Sequence, residues 1–226
     1  MSHPPSLPFL EGAPPEFLAE AMAQLVWRDV PAGAAVVERG DDSRDVFFVV
    51  SGAMRVLVPD PKGQETIFGD LGRGEMFGEM AAIDGAVRSA SITALTDCRL
   101  AVLPAAAFLR LVELSPVLVQ RLLALLLRRL RWQEQRLLDR ALPVRWRLVA
   151  ELLHLARPRA QDPNVWVVSP PPTHQVMAAR VGARREAVTR EFGRLSAEGL
   201  LVVDRGAIRL LAPGALEAGL AAARGA

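Results

Sequence analysis

The chain has 226 residues, of which 51% are hydrophobic, with one cysteine and three histidines. A chain of this length and composition can bury two small cores, which excludes an intrinsically disordered protein. The lone Cys98 excludes an internal disulfide and any all-cysteine metal or iron–sulfur site supplied by one chain. The histidines are scattered along the sequence, no apolar run is long enough to span a bilayer, and no signal-peptide pattern is seen. We therefore expect a metal-free, cofactor-free cytoplasmic protein.

The net charge of +2 is unevenly distributed. Residues 1–120 hold nine Lys or Arg and 16 Asp or Glu, whereas residues 121–226 hold 18 and nine, so the two parts carry −7 and +9. An acidic half joined to a basic half indicates that only the C-terminal part meets a polyanion. Genomic base composition can explain the preference for Arg over Lys, but it does not explain the segregation of charge.

The N-terminal part predicts short strands after one helix. Pro-rich residues 4–15 predict a loose arm, and residues 15–25 show apolar side chains at helical spacing. From residue 30 to residue 103, short apolar stretches alternate with Gly, Pro and Asp, which favours an antiparallel sandwich or barrel. The predicted strands are residues 35–37, 46–50, 54–58, 66–68, 89–95 and 99–103.

One segment of this region, Phe77–Ala90, predicts a binding pocket. Gly78 and Glu79 precede Arg88 by ten and nine residues, and Ser89 follows directly. A carboxylate can accept a sugar hydroxyl, a guanidinium and a hydroxyl can bind a phosphate, and glycine lets the backbone approach closely. The segment therefore predicts a pocket for a ribose joined to a phosphate. An ordinary turn at a strand edge is the alternative for Arg88 and Ser89.

A long helix is predicted next. Pro104 can open a helix, and Ser115-Pro116 restarts one that continues without Gly or Pro to Asp139. A 4-3-4 spacing typical of a coiled-coil seam is formed by Leu126, Leu130, Gln133 and Leu137. A long helix with one narrow apolar edge predicts a homodimer, and a helix that lies on its own sheet is the alternative.

The C-terminal part predicts a DNA-binding domain. After a helix at 144–156, a polar loop at 157–164 and a strand at 165–169, two short helical patterns surround Gly182, as in a helix-turn-helix. The second helix presents Arg185, Glu186 and Arg190 on one face, which can read guanine and cytosine in a major groove. Residues 201–210 predict a hairpin, hence a wing.

Solvated surface charge is the alternative for the helix-turn-helix pattern, but the hairpin and the regional charge favour double-stranded DNA as the partner. Thr173 is also a good helix N-cap. The candidate DNA-binding residues are Thr173, Arg184, Arg185, Glu186, Thr189 and Arg190.

Together these elements predict an α+β protein with three parts. Residues 1–113 form a β-roll of jelly-roll type with flanking helices, residues 114–140 a dimerisation helix, and residues 141–226 a winged helix-turn-helix domain. No nucleophile–base pair and no phosphate-hydrolysing metal site is visible, so we expect no catalytic residues and no enzymatic activity.

The chain from about Phe17 to Leu211 resembles the family of bacterial transcription factors that includes the cyclic AMP receptor protein and the fumarate–nitrate reductase regulator. Three groups of residues carry the resemblance, in the same order as in the family. The first is the roll pattern in residues 30–33, 38–41 and 46–52, the second is the cassette Phe77–Ala90, and the third is the recognition-helix pattern Val181–Arg190.

The resemblance implies a role for each matching residue. Gly78 and Glu79 look like the ribose-binding pair, and Arg88 and Ser89 look like the ligands of a cyclic phosphate, so the β-roll would bind a cyclic nucleotide. The base-reading residues of the second helix imply half-sites similar to TGTGA. Residues 157–164 match a loop that contacts RNA polymerase in relatives, although its sequence differs here.

The chain departs from the family on the long helix and near the hinge between domains. The base-facing Thr-Ser pair of the cyclic AMP receptor protein is replaced by Gln133 and Glu134, and Pro143 lies near the hinge. Glu134 can accept the adenine amino group, or N1–H and N2–H of guanine together, or simply lie on the helix surface.

The resemblance thus implies a regulator gated by a cyclic nucleotide. Cyclic AMP is the expected effector and cyclic GMP the runner-up. A regulator of the same family that binds DNA without any ligand is one alternative, and a cyclic-nucleotide-binding regulatory subunit, which would not need residues 173–210, is a remote one.

Overall fold

The computed structural model describes residues 7–59, 65–160 and 162–225. The chain forms two compact units, Met1–Arg129 and Leu130–Ala226, which are described separately. The domain boundaries predicted from the sequence, at residues 113 and 140, stay a prediction. Within the described residues, no helix has the length and apolar character needed to cross a membrane.

The first unit contains the predicted roll, made of two four-stranded antiparallel sheets with strand orders β1-β8-β3-β6 and β2-β7-β4-β5. The predicted strands are confirmed, and two more, β1 and β6, were not predicted. The strands are β1 Val26–Val30, β2 Ala35–Val37, β3 Val46–Ser51, β4 Met54–Pro59, β5 Glu65–Leu71, β6 Met76–Phe77, β7 Ser91–Ala94 and β8 Cys98–Leu103.

Strand β3 explains why the roll has two cores. Its residues alternate between faces, so Phe47 packs between the two sheets while Phe48 packs under the helices. Both side chains are buried, and this is why the strand reads as a continuous apolar run in the sequence and not as an alternating one. The helices of this unit are α1 Pro15–Ala23, α2 Glu79–Asp84, α3 Ala105–Glu113 and the first part of α4 Pro116–Asp139.

The loose arm predicted for residues 4–15 is wrong for the described part of it. Leu7, Phe9 and Leu10 are buried in the helical core, and the Phe9 ring lies 5.9 Å from that of Phe108. Arg121 on α4 donates hydrogen bonds to three main-chain carbonyls of this segment, those of residues 8, 9 and 11. Burial of the apolar side chains and satisfaction of these carbonyls order this segment, which contains a short 3₁₀ helix at Pro8–Leu10. Residues 4–6 lie outside the described residues.

The second unit is a winged helix with a four-stranded sheet of order β11-β12-β10-β9. The polar loop predicted at 157–164 is wrong, because its residues pair as a hairpin: Arg157 lies opposite Val167, and Pro158 lies opposite Trp166. Helix α8 was not predicted. The elements are α5 Val144–Leu155, β9 Arg157–Arg159, β10 Asp162–Val168, α6 His174–Val181, α7 Arg185–Ala197, β11 Leu201–Val203, β12 Ile208–Leu210 and α8 Pro213–Gly225.

Candidate nucleotide pocket and DNA-reading surface

The candidate pocket begins with a left-handed turn at Gly78. This glycine follows β6, has φ of 86°, and leads directly into α2. A Cβ atom at this position would lie 2.6 Å from both Arg88 Nη1 and the Asp45 carbonyl oxygen. Gly78 is therefore required for its backbone conformation and for the close approach of Arg88.

Arg88 is buried at the centre of the pocket, with 3% of its surface exposed. Its Nε donates to Ser43 Oγ at 3.0 Å, Nη1 to the Gly78 carbonyl at 3.0 Å, and Nη2 to the Asp45 carbonyl at 2.8 Å. Each Nη atom carries a second N–H, and neither has a partner among the described residues. The guanidinium is thus held rigidly while two donors remain for an anion.

The charge of Arg88 persists in this setting. Burial lowers the pKa of Arg88, whereas the carboxylates of Asp45, Asp41 and Glu79 oppose that change. A guanidinium starts from so high a pKa that it remains protonated at neutral pH. Next to it, Ser89 is exposed, and its hydroxyl makes only a weak contact with Met80 Sδ at 3.9 Å. The hydroxyl is available to a phosphate bound at Arg88.

Glu79 is the other buried charge of the segment, with 2% of its surface exposed. Its Oε1 accepts a hydrogen bond of 2.6 Å from Nη1 of Arg129 on α4, and Nη2 of the same arginine donates to the Met76 carbonyl at 2.6 Å. Oε2 is buried without a hydrogen-bond partner among the described residues. A buried acceptor without a donor is costly, so this oxygen is suited to receive a ligand hydroxyl.

Arg129 was not among the residues predicted from the sequence to line the pocket. It lies 50 positions from Glu79, and its spacing placed it among several arginines off the predicted seam. The available signal was indirect: a carboxylate that is buried in a pocket needs a cation nearby. Nothing in the sequence shows which of the arginines on α4 supplies it.

The predicted base-contacting residues, Gln133 and Glu134, belong to the second unit, and their role stays a prediction. Gln133 is half-buried and Glu134 is exposed, and neither side chain has a hydrogen-bond partner among the described residues. Both amide and carboxylate groups remain available to a ligand or to a second chain.

The exposed apolar stripe of α4 shares Leu130 and Leu137 with the predicted seam but does not include Leu126. Leu126 packs against the core of the roll, and Leu138 is exposed beside the stripe, whose leucines are Leu123, Leu127, Leu130 and Leu137. The four leucines of the stripe follow heptad spacing. The stripe position between Leu130 and Leu137 is Glu134, whereas the predicted seam had Gln133 there. The stripe leaves four large apolar side chains in contact with solvent.

The helix-turn-helix has the predicted caps and turn. Thr173 Oγ1 accepts from the Val176 amide at 3.2 Å, and Gly182 has φ of 62°. Arg147 on α5 donates to the carbonyls of Val181 and Gly182 at 2.9 and 3.0 Å. This guanidinium satisfies carbonyls at the C-terminal end of α6, where a positive charge is favourable.

Helix α7 presents the predicted reading residues to solvent. Arg184, Arg185, Glu186 and Arg190 are exposed, and none of these side chains has a partner among the described residues. The face is therefore charged and unpaired, as a surface that exchanges water for base edges and phosphates must be. The predicted DNA contacts themselves stay a prediction.

Thr189 differs from the other predicted residues because its hydroxyl is already engaged. It donates to the Arg185 carbonyl at 3.0 Å and lies 2.8 Å from His174 Nδ1. His174 also stacks on Phe192, with ring centroids 4.7 Å apart. His174, which joins the start of α6 to the middle of α7, was not among the predicted site residues.

The wing is the hairpin of β11 and β12, with Arg209 paired to Asp204 at 2.8 Å and Arg205 exposed at its tip. Among the residues that the structure describes, no group of histidine, cysteine, aspartate and glutamate side chains could hold a metal ion.

A β-roll that buries Arg88 and Glu79, a long helix and a winged helix-turn-helix together define a DNA-binding transcription regulator with an N-terminal β-roll domain. Family models agree with this class: the cyclic nucleotide-binding domain matches residues 27–115, and the Crp-like helix-turn-helix domain matches residues 146–218. The chain belongs to the family of the cyclic AMP receptor protein and the fumarate–nitrate reductase regulator.

Three relatives illustrate the likeness. The cyclic AMP receptor protein of Thermus thermophilus is 32% identical over 211 residues, covering 93% of this chain and 95% of the relative. A CRP-like cAMP-activated global transcriptional regulator of Mycobacterium tuberculosis is 29% identical over 196 residues, covering 86% and 88%. The structure of the c-di-GMP responsive global regulator CLP of Xanthomonas campestris is 25% identical, with a TM-score of 0.69 and coverage of 85% and 97%.

Proposed function

We propose that the protein is a homodimeric transcription regulator whose affinity for DNA increases when a cyclic nucleotide, most favourably cyclic AMP, binds the β-roll. The membership of the family supports DNA binding and a nucleotide-binding roll. The gating, the identity of the nucleotide and the dimer are the parts that the proposal adds.

The observation that carries the proposal is the pair of unsatisfied groups at the pocket. Arg88 keeps two N–H donors, and Glu79 keeps one buried acceptor, Oε2. Gly78 connects them, since it accepts from Arg88 and immediately precedes Glu79. An anion that also carries a hydroxyl satisfies both, and a ribose cyclic phosphate is such a ligand.

Arg129 supports the gating. It joins α4 to both the pocket carboxylate and the carbonyl of β6, so α4 contacts the groups that the ligand would contact. A ribose hydroxyl that donates to Glu79 Oε2 would share with Arg129 the carboxylate that Arg129 binds through Oε1. The ligand would thereby favour one arrangement of α4 over another, which is the differential interaction that any population shift requires.

The dimer and the DNA contacts follow from α4 and α7. Pairing of the exposed leucine stripe would bury it against a second copy and place two winged helices on one DNA molecule. Two recognition helices about 34 Å apart would then read two TGTGA-like half-sites of a palindrome. The base contacts would be made by Arg185, Glu186 and Arg190. The sugar–phosphate backbone of the DNA would be contacted by Thr173, Arg184 and Thr189.

The choice of nucleotide depends on Gln133 and Glu134. Relatives described as cyclic AMP receptor or cAMP-activated proteins favour cyclic AMP. Glu134, which can accept two donors of guanine, supports cyclic GMP as the second candidate. A regulator that binds DNA without any ligand remains the alternative to both.

Three further parts of the proposal concern the protein's setting. We propose that it acts as a regulator and not as an enzyme, that it works in the cytoplasm, and that the hairpin at residues 157–164 contacts RNA polymerase. The exposed β9 strand supports the last of these, because Arg157, Pro158 and Arg159 are all accessible.

Isothermal titration calorimetry with cyclic AMP, cyclic GMP and cyclic di-GMP tests the pocket. We expect cyclic AMP to bind, and Arg88→Leu to weaken binding by roughly 100-fold or more because two charge-assisted hydrogen bonds are lost. Arg73→Leu removes the same charge from an exposed site of the roll and is the matched control. If the wild-type protein binds none of the three nucleotides, the ligand-independent alternative is correct.

A further inference from the structure

Helix α8, Pro213–Gly225, follows the wing and completes the second unit. Leu216 and Leu220 are buried in the core of the winged helix. The family model for the helix-turn-helix ends at residue 218, so the second half of α8 lies beyond the matched segment. This half carries two contacts that the DNA-reading elements do not require.

The first contact is a forked ion pair between the end of α8 and the end of α4. Arg224 donates from Nε to Asp139 Oδ1 at 2.9 Å and from Nη2 to Oδ2 at 2.8 Å. Only 7% of the surface of Asp139 is exposed, and Gln135 donates to the same carboxylate at 3.0 Å. A two-point guanidinium–carboxylate contact fixes both distance and orientation.

The second contact is a close approach of α8 to α5. A Cβ atom on Gly219 would lie 2.5 Å from Cη2 of Trp146. Only glycine lets the indole lie against the helix backbone here. The ion pair and this contact attach α8 to both sides of the junction at which α4 ends and α5 begins.

The junction itself is a tight turn. The amides of Arg140, Ala141 and Leu142 donate to the carbonyls three residues earlier, those of Leu137, Leu138 and Asp139. Asp139 is therefore the last residue of α4 and also an acceptor of the turn that follows it. A contact that fixes Asp139 therefore fixes the orientation of the last turn of α4 relative to the turn that follows it.

We propose that α8 is a strap that fixes the last turn of α4 to the winged helix, and that Arg224 is the positioning residue of this strap. Among the described residues, the hydrogen bonds of Arg224 are those to Asp139, outside the recognition helix. Its effect on DNA binding is exerted through Asp139. The part of the proposal that concerns signalling rests on the nucleotide gating proposed above, whereas the strap itself does not.

Amide hydrogen exchange on the full-length protein tests the strap without any ligand. In Arg224→Met, exchange at Arg140, Ala141 and Leu142 should accelerate by roughly tenfold or more, because a charge-assisted contact with a buried carboxylate is lost. Arg224→Lys should give an intermediate rate, and Asp139→Arg combined with Arg224→Asp should restore protection. Glu217→Gln, an exposed charge change on the same helix, is the control. Unchanged exchange in Arg224→Met overturns the proposal.

Operator affinity with and without cyclic AMP tests the coupling. Typical allosteric couplings correspond to a roughly 5–150-fold ratio between the operator affinities with and without cyclic AMP. In Arg224→Met this ratio should fall towards one. The affinity for cyclic AMP, measured by calorimetry, should stay within about twofold of the wild type. A wild-type ratio of one contradicts the gating and leaves the exchange result to decide the strap. A wild-type ratio above one that Arg224→Met leaves unchanged overturns the role of the strap in signalling.

Discussion

At the residue scale, the pocket depends on a glycine and an arginine that share one small space. Arg88 can reach the Gly78 and Asp45 carbonyls only because Gly78 has no side chain. The sequence predicts this relation in outline, since a Gly-Glu pair and an Arg-Ser pair are close along the chain. It does not predict the partners of Arg88 from the preceding loop, Ser43 and Asp45, because sequence separation hides their proximity.

Substitution of Gly78 by alanine should damage both stability and binding. The left-handed conformation alone costs about 1 kcal/mol, and displacement of Arg88 should raise the total to roughly 3 kcal/mol. Gly33→Ala is the control, because Gly33 has φ of 82° with no atom near the added Cβ. Urea unfolding and nucleotide titration would measure the two effects. Equal losses for the two variants would show that the close approach does not matter.

Substitution of Arg185 by alanine should weaken binding to the specific operator by about 1–3 kcal/mol, since one base-reading contact is lost. Arg28→Ala, an exposed charge change in the first unit, should have little effect. Anisotropy titrations on operator and random duplexes at one salt concentration would separate specific from general binding. An equal loss on both duplexes would assign Arg185 to the phosphate backbone.

At the element scale, α4 has two apolar faces, one buried and one exposed. One face packs on the roll through residues such as Leu118 and Leu122, and the other exposes the leucine stripe. The periodicity in the sequence predicts a seam that includes Leu126, whereas the structure packs Leu126 against the roll. The spacing alone does not separate the two faces, because leucine occupies both. Packing against the roll decides the register, and that packing is not a property of the helix sequence alone.

Substitution of Leu137 by aspartate should weaken the proposed homodimer by roughly 100-fold, because a charge would replace an apolar side chain in the proposed coiled-coil interface. Leu137 is 66% exposed in the single chain. Leu211→Asp, which changes an exposed leucine outside α4, should leave the dimer intact. Light scattering over a range of concentrations would measure the dissociation constant. A wild-type monomer, or an undiminished dimer in Leu137→Asp, contradicts the interface.

The elements that the sequence left unpredicted have physical reasons in common. Strands β1 and β6, helix α2 and the ordered segment at residues 7–13 are short, and their order comes from contacts with distant residues. Phe9 is ordered by Phe48 and Phe108, and residues 157–159 become a strand by pairing with β10. Local patterns identify the long or strongly periodic elements, while tertiary contacts decide the short ones.

At the scale of the whole molecule, the fold class and the order of parts could be predicted because charge, strand pattern and helix pattern change together along the chain. Only part of the pocket could be predicted. The structure brings together the predicted residues Gly78, Glu79, Arg88 and Ser89, but Arg129 was absent from the prediction. The role of Gln133 and Glu134 in contacting the base stays a prediction, because neither side chain has a partner among the described residues.

The central claim is that nucleotide binding in the roll changes the affinity of the winged helices for DNA. Its most direct test is the dissociation constant of a labelled palindromic duplex with two TGTGA-like half-sites, measured with and without saturating cyclic AMP or cyclic GMP. We predict that cyclic AMP lowers this constant by roughly 5–150-fold, the range of typical allosteric couplings. A dissociation constant that neither nucleotide changes would contradict the claim.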